Sequence, residues 1–253
     1  RNTGIGMAVM RSITTGDSNV AVGADALYSM TTGNDNIAIG RQALGAITAG
    51  GENVAIGRQA MQDAAFGEGA NVAIGYGAMM DINEGAHGSA GADYNIAIGY
   101  HALKGAAFAG SPIEVDGNIA IGAFALDATG ANAQTGVIAI GYNSLTALTS
   151  GTGCTAVGYE SIDANDTGIG LTAFGYQSLS AQTGATNGAT AIGHRALHQN
   201  NAAVTNDYSV AVGFESGDNQ TSGYQNTFLG ASTTGNGADA INQIVIGYHA
   251  AGT

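Results

Sequence analysis

One glycine-centred motif recurs along the entire chain, and its spacing restricts the fold more than any other feature. With the motif glycine as anchor it appears at positions 6, 23, 40, 57, 75, 99, 122, 141, 158, 175, 193, 213, 230 and 247. The intervals are 17, 17, 17, 18, 24, 23, 19, 17, 17, 18, 20, 17 and 17, so the unit is 17 residues with insertions in some copies. A period of this size, held over fourteen copies, is the signature of a stacked repeat architecture. Nothing is left over for a second kind of domain, and residues 1–253 read as one repeat domain. The chain opens inside one motif, NTGIGMAVM, and stops just past another, QIVIGYHAA, which reads as a segment of a longer polypeptide.

Each unit has the form Asn, Val or Ile, Ala, Ile or Val, Gly, two variable residues, Ala or Ser, then Leu or Met, as in NVAIGYGAM and NIAIGYHAL. The alternation in Val72-Ala73-Ile74 has the period of a strand, with large side chains on one face and alanine on the other. Gly75 permits a bend, and Met79 supplies a further apolar anchor. One unit therefore makes one coil. A single coil cannot bury its anchors, whereas parallel coils stacked about 4.8 Å apart bury a continuous column of them. The expected fold is all-β: a parallel β-roll or β-solenoid of about 14 coils, a rod of roughly 65 Å.

Composition agrees. The chain has 42 Gly but one Pro and no Trp, which excludes collagen, and its 45% hydrophobic content excludes disorder. A net charge of −13 repels phosphate backbones and anionic lipid, so nucleic acid is excluded as a partner. No apolar run is long enough to span a bilayer, so no membrane insertion by this segment is expected. Sixteen of the 19 acidic residues fall between the nine-residue motifs, which turns those linkers toward water. The lone Cys154 reads as a small buried residue.

Chemistry-bearing patterns are sparse. His194 and His198 stand four apart on a strand-and-turn segment, where the helical logic of paired metal ligands does not apply. The acidic turns lack the nonapeptide of calcium-binding β-rolls, and no Ser/His/Asp grouping can be built from spacing. No catalytic residue, metal or cofactor is expected. One hexapeptide per unit, such as IGYHAL, fits the repeat of left-handed β-helix acyltransferases, but the rest of the coil does not. An ice-binding solenoid is the other alternative; it calls for regular outward Thr rows, and the Thr residues are expected in turns.

Three sets of residues are candidates for function. The alanine between the two aliphatics (Ala38, Ala55, Ala73, Ala97, Ala120, Ala139) stays small through successive coils, so another backbone must pass close to it, either the opposite wall of the same roll or a neighbouring subunit. With the Val/Ile face taken as the interior, the neighbour is expected and the column marks an oligomer axis. The position after the anchor glycine carries Tyr76, Tyr100, Tyr142, Tyr159 and Tyr176, an aromatic ladder that stacking explains and that a carbohydrate could use, with Arg58 set over Tyr76. The two longest linkers, 80–94 and 104–117, insert at neighbouring levels and gather His87, Lys104, Phe108, Pro112, Glu114 and Asp116, a candidate recognition protrusion.

The repeated NVAIG, NIAIG and TAIGH segments resemble the repeats in YadA-like heads of trimeric autotransporter adhesins and the related β-roll repeats of phage tail fibres. The resemblance covers the whole chain. It implies a left-handed parallel β-roll assembled as a homotrimeric fibre, with Val54, Ile56, Val72, Ile74, Ile96, Ile98, Ile119 and Ile121 as core pairs. It implies a non-enzymatic, extracellular attachment role on a virion tail or a bacterial cell surface, with a host or matrix receptor, a glycan among the candidates, as partner.

Overall fold

The computed structural model describes residues 1–64, 67–82, 92–105, 115–128, 134–181, 187–199 and 207–253. The chain divides into two compact units, Arg1–Gly136 and Val137–Thr253, built from the same element. In each, a three-residue strand from every repeat joins a parallel sheet, in sequence order, as in a β-solenoid. The first unit carries Thr3–Ile5, Val20–Val22, Ile37–Ile39, Val54–Ile56, Val72–Ile74, Ile96–Ile98 and Ile119–Ile121. The second carries Ile138–Ile140, Thr155–Val157, Thr172–Phe174, Thr190–Ile192, Val210–Val212, Thr227–Leu229 and Ile244–Ile246. The register repeats without slippage: Ala55 pairs with Ala73, and Ala73 with Ala97, although 24 residues separate the last two.

The anchor glycine turns the chain out of the strand with φ between +130° and +145°. The next four residues alternate in handedness, so that Gln42 (φ 61°) and Leu44 (φ 51°) are left-handed while Ala43 is not. This alternation aims successive amides at opposite neighbours. Gln42 N donates to Ala24 O of the preceding coil at 2.9 Å, and Leu44 N to Ala60 O of the following coil at 3.0 Å. Turns within each unit, such as Gln42–Leu44 and Gln59–Met61, are thereby bonded from both sides, which offsets the roughly 1–2 kcal/mol that a left-handed non-glycine residue costs.

In the first unit the asparagine opening each motif forms a second spine, buried from Asn19 to Asn118. Asn53 Oδ1 accepts from both the backbone N and Nδ2 of Asn71 at 3.1 Å, while Asn53 Nδ2 donates to Glu68 O at 2.8 Å. The same triad recurs from Asn36 through Asn71, Asn95 and Asn118. In the second unit Val137, Cys154, Leu171 and Ala189 take the column and are all buried. Cys154 is a free buried thiol, as its sequence setting implies, and burial pushes its pKa up.

The strand faces are the reverse of the expected ones. Ala38, Ala55, Ala73, Ala97, Ala120 and Ala139 are fully buried within a single chain, so they line the roll interior and do not form an oligomer axis. The flanking aliphatics, Val54 and Ile56, Val72 and Ile74, Ile96 and Ile98, Ile119 and Ile121, are only half-buried and face outward. The roll is narrow, and its interior is filled by the fully buried Leu44, Met61, Met79, Leu103 and Leu126 of the turns together with Met30, Ile47 and Leu148 from linkers. Alanine leaves room for those side chains from the facing wall; where the fully buried Phe228 takes its place, the packing partner in the turn is Gly217 instead of a Leu or Met. Linkers therefore contribute to the core as well as to the water-facing surface.

Candidate functional site

Because alanine points in, each strand turns two aliphatic side chains outward. In the first unit they form two parallel columns, with Val20, Ile37 and Ile39 each more than a third exposed. In the second unit the leading column changes chemistry: Thr155, Thr172 and Thr190 are in register, Val210 interrupts them, and Thr227 follows. The trailing column stays apolar, with Phe174, Ile192 and Leu229 all above 40% exposed. Composition gives no sign of this outward Thr column, because it emerges only once the strand parity is known. It is one residue wide and bordered by apolar side chains.

Beside these columns runs the aromatic ladder. Tyr76 stacks on Tyr100 at 5.3 Å with planes 10° apart, and Arg58 lies 5.5 Å from the Tyr76 ring centre. Tyr100 also stacks on His101 at 4.1 Å and meets Phe124 edge-on. In the second unit Tyr142, Tyr159, Tyr176, His194 and Phe214 stack continuously at 4.9–5.3 Å. The ring faces are occupied by one another, so edges and hydroxyls are what the ladder offers to solvent. His194 belongs to this stack, whereas His198 Nδ1 is 2.8 Å from Ser180 Oγ; the two histidines do not converge.

Of the linker residues singled out in the sequence, Lys104 and Asp116 are described, while His87, Phe108, Pro112 and Glu114 lie outside the described residues. Asp116 is built into the scaffold: it lies in the short strand Val115–Asp116, paired with Gln134–Thr135, and Asp116 Oδ1 accepts from Asp93 N at 2.9 Å. Lys104 Nζ is 3.6 Å from Asp81 Oδ2. Burial raises the pKa of Asp81 and of Asp127, with Lys104 opposing it in both cases, and lowers that of His101. Lys104 thus serves as counter-ion to partly buried carboxylates. Among the described residues no three His, Cys, Asp or Glu side chains are grouped to hold a metal ion.

What these surfaces carry, in each unit, is an apolar column beside an aromatic edge. No family model, no curated protein and no solved structure matches this chain.

Proposed function

We propose that the chain is a segment of a non-enzymatic attachment fibre in which three copies pack along their outward aliphatic columns. The observation that carries this reading is the strip itself: a chain that turns two columns of Val and Ile outward in its first unit, and an apolar trailing column outward in its second, leaves apolar surface of the kind that marks interfaces. A lengthwise strip is closed most simply by cyclic symmetry, and the resemblance of the NVAIG-type repeats to trimeric adhesin heads and tail fibres selects three. Attachment outside a cell, from a virion or a bacterial surface, follows from the same resemblance, and a surface receptor is its partner.

Light scattering on the purified chain tests the assembly. The expected mass is three times the 24.9 kDa of one chain. Replacing Ile39 and Ile56 together by Lys places unpaired charges in the contact, each costing several kcal/mol, and yields monomers that retain their β circular dichroism. A monomeric parent, or a double variant as trimeric as the parent, overturns the reading. Binding of the labelled trimer to bacterial cells and matrix coatings tests attachment.

A further inference from the structure

The turn side chains form columns just as the strand side chains do, and in the first unit one column has a missing rung. Arg11, Tyr28, Gly45 and Gln62 occupy equivalent places in four consecutive coils, with register fixed by Ser29 N donating to Gly45 O and Ala46 N to Gln62 O at 3.1 and 2.9 Å. Where the other coils present a long side chain, Gly45 presents none. The result is a groove of about 490 Å³ over Gly45 and Ala46, within the size range of small-molecule sites.

The walls of this groove are specific. Tyr28 is held from one side, because Arg11 Nη1 donates to its hydroxyl at 2.9 Å and the guanidinium lies 5.7 Å from the ring centre. On the other side the next side chain in the column, Gln62, is two coils away, about 9.5 Å at the spacing of stacked strands. A ring in van der Waals contact with both needs about 7–8 Å, so the gap takes one ring and no more. Around it stand Asp25, Ser29 and Gln42, whose side chains make no hydrogen bond to another described residue, while Gln62 and Asp63 are already tied to each other at 3.3 Å. An aromatic face bordered by neutral amide, hydroxyl and carboxylate groups suits a pyranose, whose C–H face stacks while its hydroxyls both donate and accept. Asp25 and Asp63, on a chain of net charge −13, exclude phosphate, sulfate and acidic sugars.

We propose that this groove binds a neutral sugar ring on Tyr28. The site deepens the attachment reading by naming the chemistry of the surface met, and rests on that reading only for its biological use, since the groove lies within one chain. Tyr28→Ala removes the stacking face. Gly45→Gln restores the missing rung; a Cβ there meets Gln42 O at 3.2 Å without a left-handed φ, so a small shift accommodates it.

Saturation-transfer NMR with methyl glycosides of glucose, galactose, mannose, N-acetylglucosamine and N-acetylgalactosamine is the test. At least one should bind saturably, and each variant should weaken it at least about tenfold, whereas Tyr224→Ala, on a linker of the second unit, leaves it unchanged. Circular dichroism melts verify that the variants are folded. No binding by any of the five glycosides, or binding that survives Gly45→Gln or Tyr28→Ala, overturns the site. Loss of sugar binding with an intact, cell-binding trimer removes the groove alone; a monomeric chain that binds sugar removes the fibre alone.

Discussion

At the scale of the single residue, the anchor glycine is the position that tolerates least. At Gly99 φ is +142°, and a Cβ would stand 2.5 Å from Gly122 O and 2.6 Å from its carbonyl carbon, so the following coil would have to move. Gly117 is also left-handed, at φ +64°, but has open space around it. The two glycines separate backbone strain from steric exclusion. Gly99→Ala should cost about 3–5 kcal/mol and Gly117→Ala about 1–2 kcal/mol, read from chemical denaturation of each variant. Equal losses would mean that close stacking of the glycine column is not what fixes it.

At the scale of the strand, interior and exterior can be exchanged on paper but not in the molecule. Ala97→Leu should destabilise by about 1–3 kcal/mol through overpacking against the turn side chains. Ile96→Thr, which installs the residue found at the equivalent place in Thr155–Val157, should cost less than about 1 kcal/mol in the monomeric Ile39→Lys/Ile56→Lys background. Thermal melts of the pair reveal which face is core; a costlier Ile96→Thr would reverse the assignment. The period of two, the repeat length and the parallel stack were all legible in the sequence, because each depends only on spacing. Parity was not. Placing the larger side chains inside is sound for an ordinary sheet, but the interior of a coil this narrow is set by the facing wall, and Leu103 and Met79 already fill it. The aromatic ladder was legible because it stays in one column whichever face is core. The groove at Gly45 was not, since a glycine in a turn reads as punctuation until its column neighbours are known to be Tyr28 and Gln62.

At the scale of the whole molecule, acidity is in tension with packing. Asp81, Asp127, Asp163 and Asp218 all have raised pKa values with burial as the main cause, and Asp163 is pushed to about 6 by burial and then by Glu160. In the unfolded chain these carboxyls titrate near 3.8. Their contribution to stability is therefore fully present below that value and is lost as pH rises through the folded values, for Asp163 through about 6. His101, lowered by burial, acts in the opposite sense on acidification. Asp163→Asn isolates one carboxyl: it should raise the unfolding free energy at pH 8 by on the order of 1 kcal/mol once solvent screening of a half-exposed group is allowed for, and leave it nearly unchanged at pH 4, as read from chemical denaturation at the two pH values. An equal gain at both pH values would show that charge is not the cause. The unbroken register has a different consequence, for length. Removing residues 41–57 joins Gly40 to Arg58, a junction of the same kind as the one it replaces, and shortens the first unit by one level of about 4.8 Å with no side chain out of its column. Length in such a chain therefore changes in whole coils. That particular excision also brings Gln62 directly beneath Tyr28, so the same event that trims the stack by one step erases the vacancy between them.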